Sequence, residues 1–478
     1  MSKSLKILFL SAEVAPFAKT GGLGDIGGSL PKALKALGHD VRVVMPAYQN
    51  IESGYPGVES IPVRLDVPTN FGDTPAGVFQ GQLPDSEVPI YFIAEWHLFN
   101  RPTLYGYWDD PYRFAFFSRA ALELAVALDW RPDVVHAHDW HTAPAIAWLA
   151  TAGQTHPFLN NIPTVFTIHN LAHQGKVGWD VFDYLGIQTH SLHEEAYGEV
   201  NFMARGIFHA TLVNTVSPTY AREIMTYEGG AGMDGLLRHR QHDLYGILNG
   251  LDESWNPATD FHLAENYDVE EMDGRLRNRH ILQEKANLPQ RDDIPLVAMI
   301  TRLDWQKGLD ITGHVIHQLM NGFAGEAQFV LLGTGEAHYE QMFAHLAGYH
   351  RDKMTAFLDY NAGFAPTIYA GSDIFLMPSL FEPCGLGQMI AMRYGSVPLV
   401  RATGGLADTV QNGITGYTFN EYSSAAFGEA LQQAIYVYNT DKAAWRAMQR
   451  RGMTADFSWS RSALGYQELY EWAMARGA

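Results

Sequence analysis

Lys6-Ile7-Leu8-Phe9-Leu10, then Lys19-Thr20-Gly21-Gly22-Leu23-Gly24-Asp25, then Val41-Arg42-Val43-Val44-Met45: an apolar run, a lysine-bearing glycine loop and a second apolar run decide how this chain is read. Between loop and second run, Asp25 to Leu37 has helix-compatible spacing, and Gly38 is placed to end that helix. The succession strand, loop, helix, strand is a βαβ unit, which implies a parallel sheet with right-handed crossovers. Further strands are expected at Ile90–Ile93, Val134–Ala137, Thr164–Ile168, Leu212–Val216 and Tyr245–Leu248. From Ile294 the same grammar restarts, with strands at Ile294–Ile300, Gln328–Leu332, Met354–Leu358, Ile374–Met377 and Val397–Val400. Helices alternate with them at Lys307–Met320, Glu336–Tyr349, Phe364–Ala370 and Leu386–Tyr394. Two doubly wound α/β units in succession place a ligand site in a cleft between them, outside the carboxyl ends of the strands.

Length agrees, since 478 residues exceed one ordinary core and suit two domains of roughly 200–240 residues. The expected division is 1–250, then 251–455, then a C-terminal helix in 456–478 packing back on the first domain, with Leu251–Asp293 as the connecting region. A net charge of −19 argues against nucleic acid or an anionic membrane surface as partner. It fits a neutral polymer as well as a small molecule. The single cysteine, Cys384, allows no internal disulfide and fits a reducing compartment. The run Ile7–Leu10 is cut short by Glu13 and is too brief for the core of a leader segment. No stretch approaches ~20 uninterrupted apolar residues, so no membrane span is expected.

Several motifs admit rival chemistry. Gly22-x-Gly24-x-x-Gly27 fits the dinucleotide fingerprint, but eight residues lie between Glu13 and Gly22. The second strand also ends in Pro46 with no acid, where that fingerprint needs a ribose-binding carboxylate. The loop reads better as an anion- and sugar-facing turn, its glycines admitting backbone N–H groups and Lys19 adding charge. His136-Ala137-His138-Asp139-Trp140-His141 approaches a metallo-hydrolase pattern with its aspartate one place early, which turns that carboxylate off the shared face. The alternative is a strand end at which Asp139 accepts hydrogen bonds from sugar hydroxyls while the histidines pack. Asp109-Asp110 sits in the aromatic loop Tyr105-Gly106-Tyr107-Trp108 and suits a turn or an acceptor-facing surface.

In the second unit, Arg302 and Lys307 are five residues apart at a strand-to-helix junction, where two cations can converge on one diphosphate. Phe381-Glu382-Pro383-Cys384-Gly385-Leu386-Gly387 puts a carboxylate at another strand end, ahead of free helix amides. No base neighbours Cys384 in sequence, so it reads as a wall residue. Thr403-Gly404-Gly405-Leu406-Ala407-Asp408 is a further glycine loop.

These motifs, together with Thr167-Ile168-His169-Asn170, Val216-Ser217-Pro218-Thr219-Tyr220, Ile247-Leu248-Asn249-Gly250 and Asp456-Phe457-Ser458-Trp459, run in order through nearly the whole chain. In that order the sequence resembles bacterial glycogen synthases and plant starch synthases, retaining glycosyltransferases of the GT-B fold with two Rossmann-like domains. The resemblance implies transfer of glucose from ADP-glucose to the non-reducing end of an α-1,4-glucan, with no metal or other cofactor and a cytoplasmic (or plastid) setting. A related transferase using UDP-glucose or another acceptor is the alternative. Carried over by position, Lys19, Arg302 and Lys307 resemble a diphosphate clamp, with Gly21 and Gly22 as backbone donors and Asp25 in the same loop. Leu386 and Gly387 would supply helix amides, Glu382, Asp139 and Asn249 would meet the sugar, and Tyr360 would lie against the nucleobase. His169 resembles the residue beside the anomeric carbon. Glu382, His169, Arg302 and Lys307 are the expected catalytic set. Two positions differ from some relatives: the family varies between Tyr and Phe at Phe99, which here cannot donate a hydrogen bond, and Ile390, as is usual in this branch, stands where many GT-B relatives hold a ribose-binding glutamate.

Overall fold

Short apolar runs closed by Gly, Pro or Asp become buried parallel strands, and their order across each sheet selects which loops can form a site. The computed structural model describes residues 4–186 and 199–477. The chain divides into two units, 1–250 with 459–478, and 251–458.

The first unit contains β1 (Lys6–Leu10), β2 (Asp40–Pro46), β3 (Glu59–Thr69), β4 (Gly72–Gln82), β5 (Pro89–Ala94), β6 (Val134–His138), β7 (Thr164–Ile168), β8 (Lys176–Gly178), β9 (Glu199–Asn201), β10 (Leu212–Thr215) and β11 (Leu244–Gly246). Among the described residues, nine of these form one sheet in the order β11-β10-β7-β6-β1-β2-β5-β4-β3. All neighbours pair in parallel from β11 to β5, and β4 and β3 add an antiparallel hairpin at one edge. That hairpin was not expected from sequence. Its edge strand β3 carries Pro62 and Pro68 and buries little but Leu65 and Val67, and proline is tolerated at an edge where no ladder donor is required.

The glycine loop leads into the helix Gly22–Ala36, which begins earlier than the expected Asp25 and buries Ile26, Leu30 and Leu34 at a spacing of four. Gly27 is demanded by close packing, because a Cβ there would lie 2.6 Å from the Glu13 carbonyl oxygen. Its place in a dinucleotide-like spacing thus has a packing cause. The helix Trp459–Gly477 packs within the first unit, burying Trp459, Ala463, Tyr466, Tyr470 and Ala473 along one face. Burying such large side chains contributes about 1.5–3 kcal/mol each.

The second unit holds β12 (Leu296–Ile300), β13 (Gln328–Leu332), β14 (Met354–Phe357), β15 (Ile374–Met377), β16 (Val397–Arg401) and β17 (Tyr417–Phe419). They form a fully parallel sheet in the order β14-β13-β12-β15-β16-β17. Its core packs Val297, Met299, Leu331, Phe329, Ile316 and Phe427. The stretch expected to be a connection belongs to this unit and contains the helix Gly274–Lys285. Lys307 does not open the following helix. It ends a short 3-10 turn, Trp305–Lys307, and Gly308 at φ 70° separates that turn from the helix Leu309–Met320.

In each sheet the strand order reverses beside the first strand, β1 in one and β12 in the other. Ligands of open α/β sheets bind outside the carboxyl ends at such switch points. The loops that leave β1 and β12 are the lysine-bearing glycine loop and the Thr301–Gly308 loop.

Candidate active site

At the switch point of the first unit, Glu13 stands three residues past the end of β1 and is almost fully buried. Its carboxylate accepts hydrogen bonds from the Thr20 amide (2.6 Å), the Thr20 hydroxyl (2.7 Å), the Gly21 amide (3.2 Å) and the Tyr105 hydroxyl (2.7 Å). Glu13 therefore holds the glycine loop and ties it to the aromatic loop. Sequence reading used Glu13 only to end an apolar run. The signal was present, since an acid directly after a buried strand needs compensating donors. Gly21, an expected anion donor, gives its N–H to this carboxylate. Lys19 forms a 2.6 Å ion pair with Asp25, both groups partly exposed.

The parallel pairing of β6 with β7, His138 opposite Thr167, brings the next residues of both strands together. Asp139 sits at φ 56°, a left-handed conformation that aspartate tolerates better than most residues. Its Oδ1 accepts the His169 amide at 2.7 Å. Burial pushes the Asp139 carboxyl up to about 7, opposed by the backbone amides of His169 and Asn170. Burial lowers His169 to about 3, so its ring is neutral. The His169 Nε2 lies 2.8 Å from His138 Nδ1. Asn249, buried nearby in sequence to the end of this unit, has an Oδ1 with no partner among the described residues.

The remaining histidines of the cluster are engaged in the core. His136 uses both ring nitrogens, on the Tyr470 hydroxyl (2.8 Å) and the Thr167 hydroxyl (2.7 Å). His141 is stacked against Trp140 and meets Phe114 edge-on. Among the described residues, no group of three or more His, Cys, Asp or Glu is placed to hold a metal ion.

In the second unit, two loops are laced together. The Leu380 amide donates to the Gln306 carbonyl (2.8 Å), and Gln306 Nε2 donates to the Phe381 carbonyl (3.1 Å). This brings Lys307 Nζ to 2.7 Å from Glu382 Oε2, with side-chain exposures of only 15% and 8%. The Ser379 hydroxyl donates to the same oxygen at 3.1 Å. Both contacts fall on Oε2, and Oε1 takes no hydrogen bond from the described residues. The glycine loop at residues 403–408 braces the Glu382 backbone. Gly404, at φ 46°, has no room for a Cβ, which would stand 1.9 Å from the Glu382 carbonyl oxygen, and the Gly405 amide donates to that carbonyl at 3.1 Å. Arg302 is largely exposed and lies 3.5 Å from Asp304. Leu386 and Gly387 stand at the start of the helix Gly387–Arg393, just past Glu382. Tyr360 is 80% exposed in the loop after β14. Cys384 is buried beneath Gly405.

Each unit thus gathers its sequence-marked residues at strand carboxyl ends: a glycine loop, a carboxylate and a neutral histidine in one, a lysine–glutamate pair and an exposed arginine in the other. Residues 6–239 match the starch synthase catalytic domain family, and residues 281–447 match the glycosyl transferases group 1 family. A glycogen synthase of Moorella thermoacetica is 45% identical, the alignment covering 100% of this chain and 98% of the relative. One from Geotalea daltonii is 44% identical over 99% of each. Among solved structures, the catalytic domain of starch synthase IV from Arabidopsis thaliana, bound to ADP and acarbose, superposes with a TM-score of 0.90 at 35% identity, covering 99% of this chain and 100% of that one. A sucrose-phosphate synthase from Thermosynechococcus elongatus shares the fold at a TM-score of 0.62 and 18% identity. With its GT-B fold and strand-end residues in place, the chain belongs to the glycogen and starch synthase family of glucosyltransferases.

Proposed function

We propose that the chain transfers glucose from ADP-glucose to the non-reducing end of an α-1,4-glucan, with retention of configuration and without a metal ion. The observation that carries this reading is the Lys307–Glu382 pair. An ammonium has three N–H donors, and Lys307 spends one on Glu382, so two remain for an anionic leaving group. Glu382 keeps Oε1 for a sugar hydroxyl. One buried pair can therefore hold both sides of a sugar–diphosphate bond. The ADP and acarbose bound to the Arabidopsis relative support an adenine nucleotide and a sugar-like acceptor.

In this reading the bond from C1 to the diphosphate oxygen breaks while the bond from C1 to the acceptor 4-oxygen forms on the same face. The acceptor hydroxyl proton passes to the departing phosphate oxygen. Negative charge grows on ADP as the bond breaks, and preorganised cations stabilise it most in the transition state. Arg302, Lys307 and Lys19 supply that charge, and the Gly22 amide at a helix N-terminus adds to it. The neutral His169 ring and Asp139 serve the sugar side, Asn249 offers its unpaired carbonyl oxygen, and Tyr360 offers an exposed face to the base.

Side-by-side assays on glycogen are expected to show faster glucose transfer from ADP-glucose than from UDP-glucose, with most of the rate surviving excess EDTA. Preference for UDP-glucose would overturn the donor assignment. Loss on chelation with rescue by one metal would overturn the metal-free mechanism.

A second expectation concerns Glu13. Glu13→Ala leaves the Thr20 and Gly21 amides without their acceptor and is expected to raise the donor KM by ~10-fold, the scale of one buried hydrogen-bond partner lost. Glu13→Gln should restore most of it. The two hydroxyls at Oε1, from Thr20 and Tyr105, can each reverse and accept from an amide NH2, while the remaining amide oxygen serves the two backbone donors. An unchanged KM in Glu13→Ala would show that the loop does not depend on this carboxylate.

A further inference from the structure

We infer that His138 is a positioning residue that sets the tautomer of His169, so that His169 presents an Nδ1–H donor to an acceptor oxygen of the bound ligand. The ligand's identity as a sugar rests on the proposed glucosyl transfer; the tautomer does not.

The two rings form an isolated couple. His138 Nδ1 and His169 Nε2 are 2.8 Å apart, and the residues are 0% and 9% exposed. Burial lowers the pKa of both, so each ring is neutral and carries one N–H. The two outer nitrogens, His138 Nε2 and His169 Nδ1, have no hydrogen-bond partner among the described residues. One of them must therefore be an unpaired N–H and the other an unpaired lone pair.

The two arrangements are not equivalent. If His169 donated from Nε2, the unpaired N–H would fall on His138 Nε2, in the core. That ring packs on Phe9 at 4.1 Å and on His136 at 4.0 Å between centroids. His136 cannot accept from it, because both its nitrogens are engaged by Tyr470 and Thr167. An orphaned buried N–H is among the rarest features of folded proteins, and an under-used acceptor is tolerated more readily. If His138 donates from Nδ1, the lone pair falls in the core. The N–H then falls on His169 Nδ1, itself buried but on the residue that follows β7 beside Asp139, the strand-end position at which a bound ligand would supply the acceptor. The second arrangement is favoured.

The backbone of both residues is also held. The Thr142 hydroxyl accepts the His138 amide at 2.6 Å and lies 2.8 Å from the His138 carbonyl. The His169 amide is held by Asp139 Oδ1 at 2.7 Å. A ring whose backbone is clamped and whose far nitrogen is engaged offers a donor with little reorganisation, which favours transition-state binding.

The test reads the tautomer directly, with full-length protein labelled with 15N-histidine and His169 assigned by the signal lost in His169→Gln. Without ligand, His169 is expected to carry its proton on Nδ1, with Nε2 unprotonated. A wild-type ring protonated on Nε2 would overturn the inference. In His138→Phe the preference should vanish and kcat for glucose transfer should fall by ~10-fold or more, the scale of one hydrogen bond lost. His138→Asn, whose amide NH2 stands near the Nδ1 position, should restore both tautomer and kcat. An unchanged tautomer in His138→Phe would deny His138 its role; if that variant fails to fold, the wild-type and His138→Asn spectra still decide. Wild-type protein with the expected tautomer but no transfer from ADP-glucose would overturn the proposed function and leave this inference standing.

Discussion

Glucose transfer is expected to fall by at least ~10²-fold in Glu382→Gln, the scale seen when one preorganised electrostatic contact is lost, while ADP binding persists. Lys307 and Ser379 both address Oε2, so the oxygen left to the substrate is Oε1. The glutamine keeps the shape of the side chain but removes its charge, and its NH2 cannot accept from a sugar hydroxyl. Lys307 loses its counter-charge in the same step, so ADP affinity should hold or rise. Glu382→Ala removes shape as well and should lose at least as much turnover. The comparison is ADP affinity by calorimetry beside turnover on glycogen. Near-normal turnover with intact ADP binding would reduce Glu382 to a structural role.

Lys307→Met is expected to damage both stability and turnover. It leaves a carboxylate of 8% side-chain exposure without its cation, and breaking a buried pair from one side costs about 3–5 kcal/mol. The Ser379 hydrogen bond offsets part of that cost. Turnover should drop by ~10²–10³-fold, because the charge facing the leaving group is gone. The double variant Lys307→Met with Glu382→Gln separates the two effects. It should recover most of the lost Tm, since no unpaired charge remains, and recover no turnover. A double variant as unstable as Lys307→Met alone would show that the lysine stabilises the fold through its packing and not through the pair.

These expectations depend on contacts that no local pattern contains. Strands such as Thr164–Ile168, Gln328–Leu332 and Ile374–Met377 were legible to the residue. Each is a short buried run, and burial on both faces of a parallel sheet makes most of the run apolar instead of alternating. The alternation of such runs with helix-like segments was enough for two doubly wound sheets, and glycines and charges after the strands marked the loops. The hairpin β3–β4 was not legible, because three prolines, Pro62, Pro68 and Pro75, and a solvated face remove the apolar signature. The helix Gly274–Lys285 was missed for a related reason. It is polar along most of its length and is held by buried groups whose partners lie elsewhere, with Arg279 paired to Asp373 and Asn278 donating to the Glu265 carbonyl.

The sequence by itself determined which residue types stand at the strand ends, because hydrophobic periodicity and turn chemistry are properties of neighbours along the chain. Only the tertiary structure decided who meets whom there. Lys307 reaches Glu382 across 75 residues, Tyr105 reaches Glu13 across 92, and His138 reaches His169 across 31. Those meetings follow from strand order and register: β15 lies beside β12, and His138 pairs with Thr167. Strand order reflects which faces can be buried together over the whole sheet, a global balance that a local window of sequence does not hold.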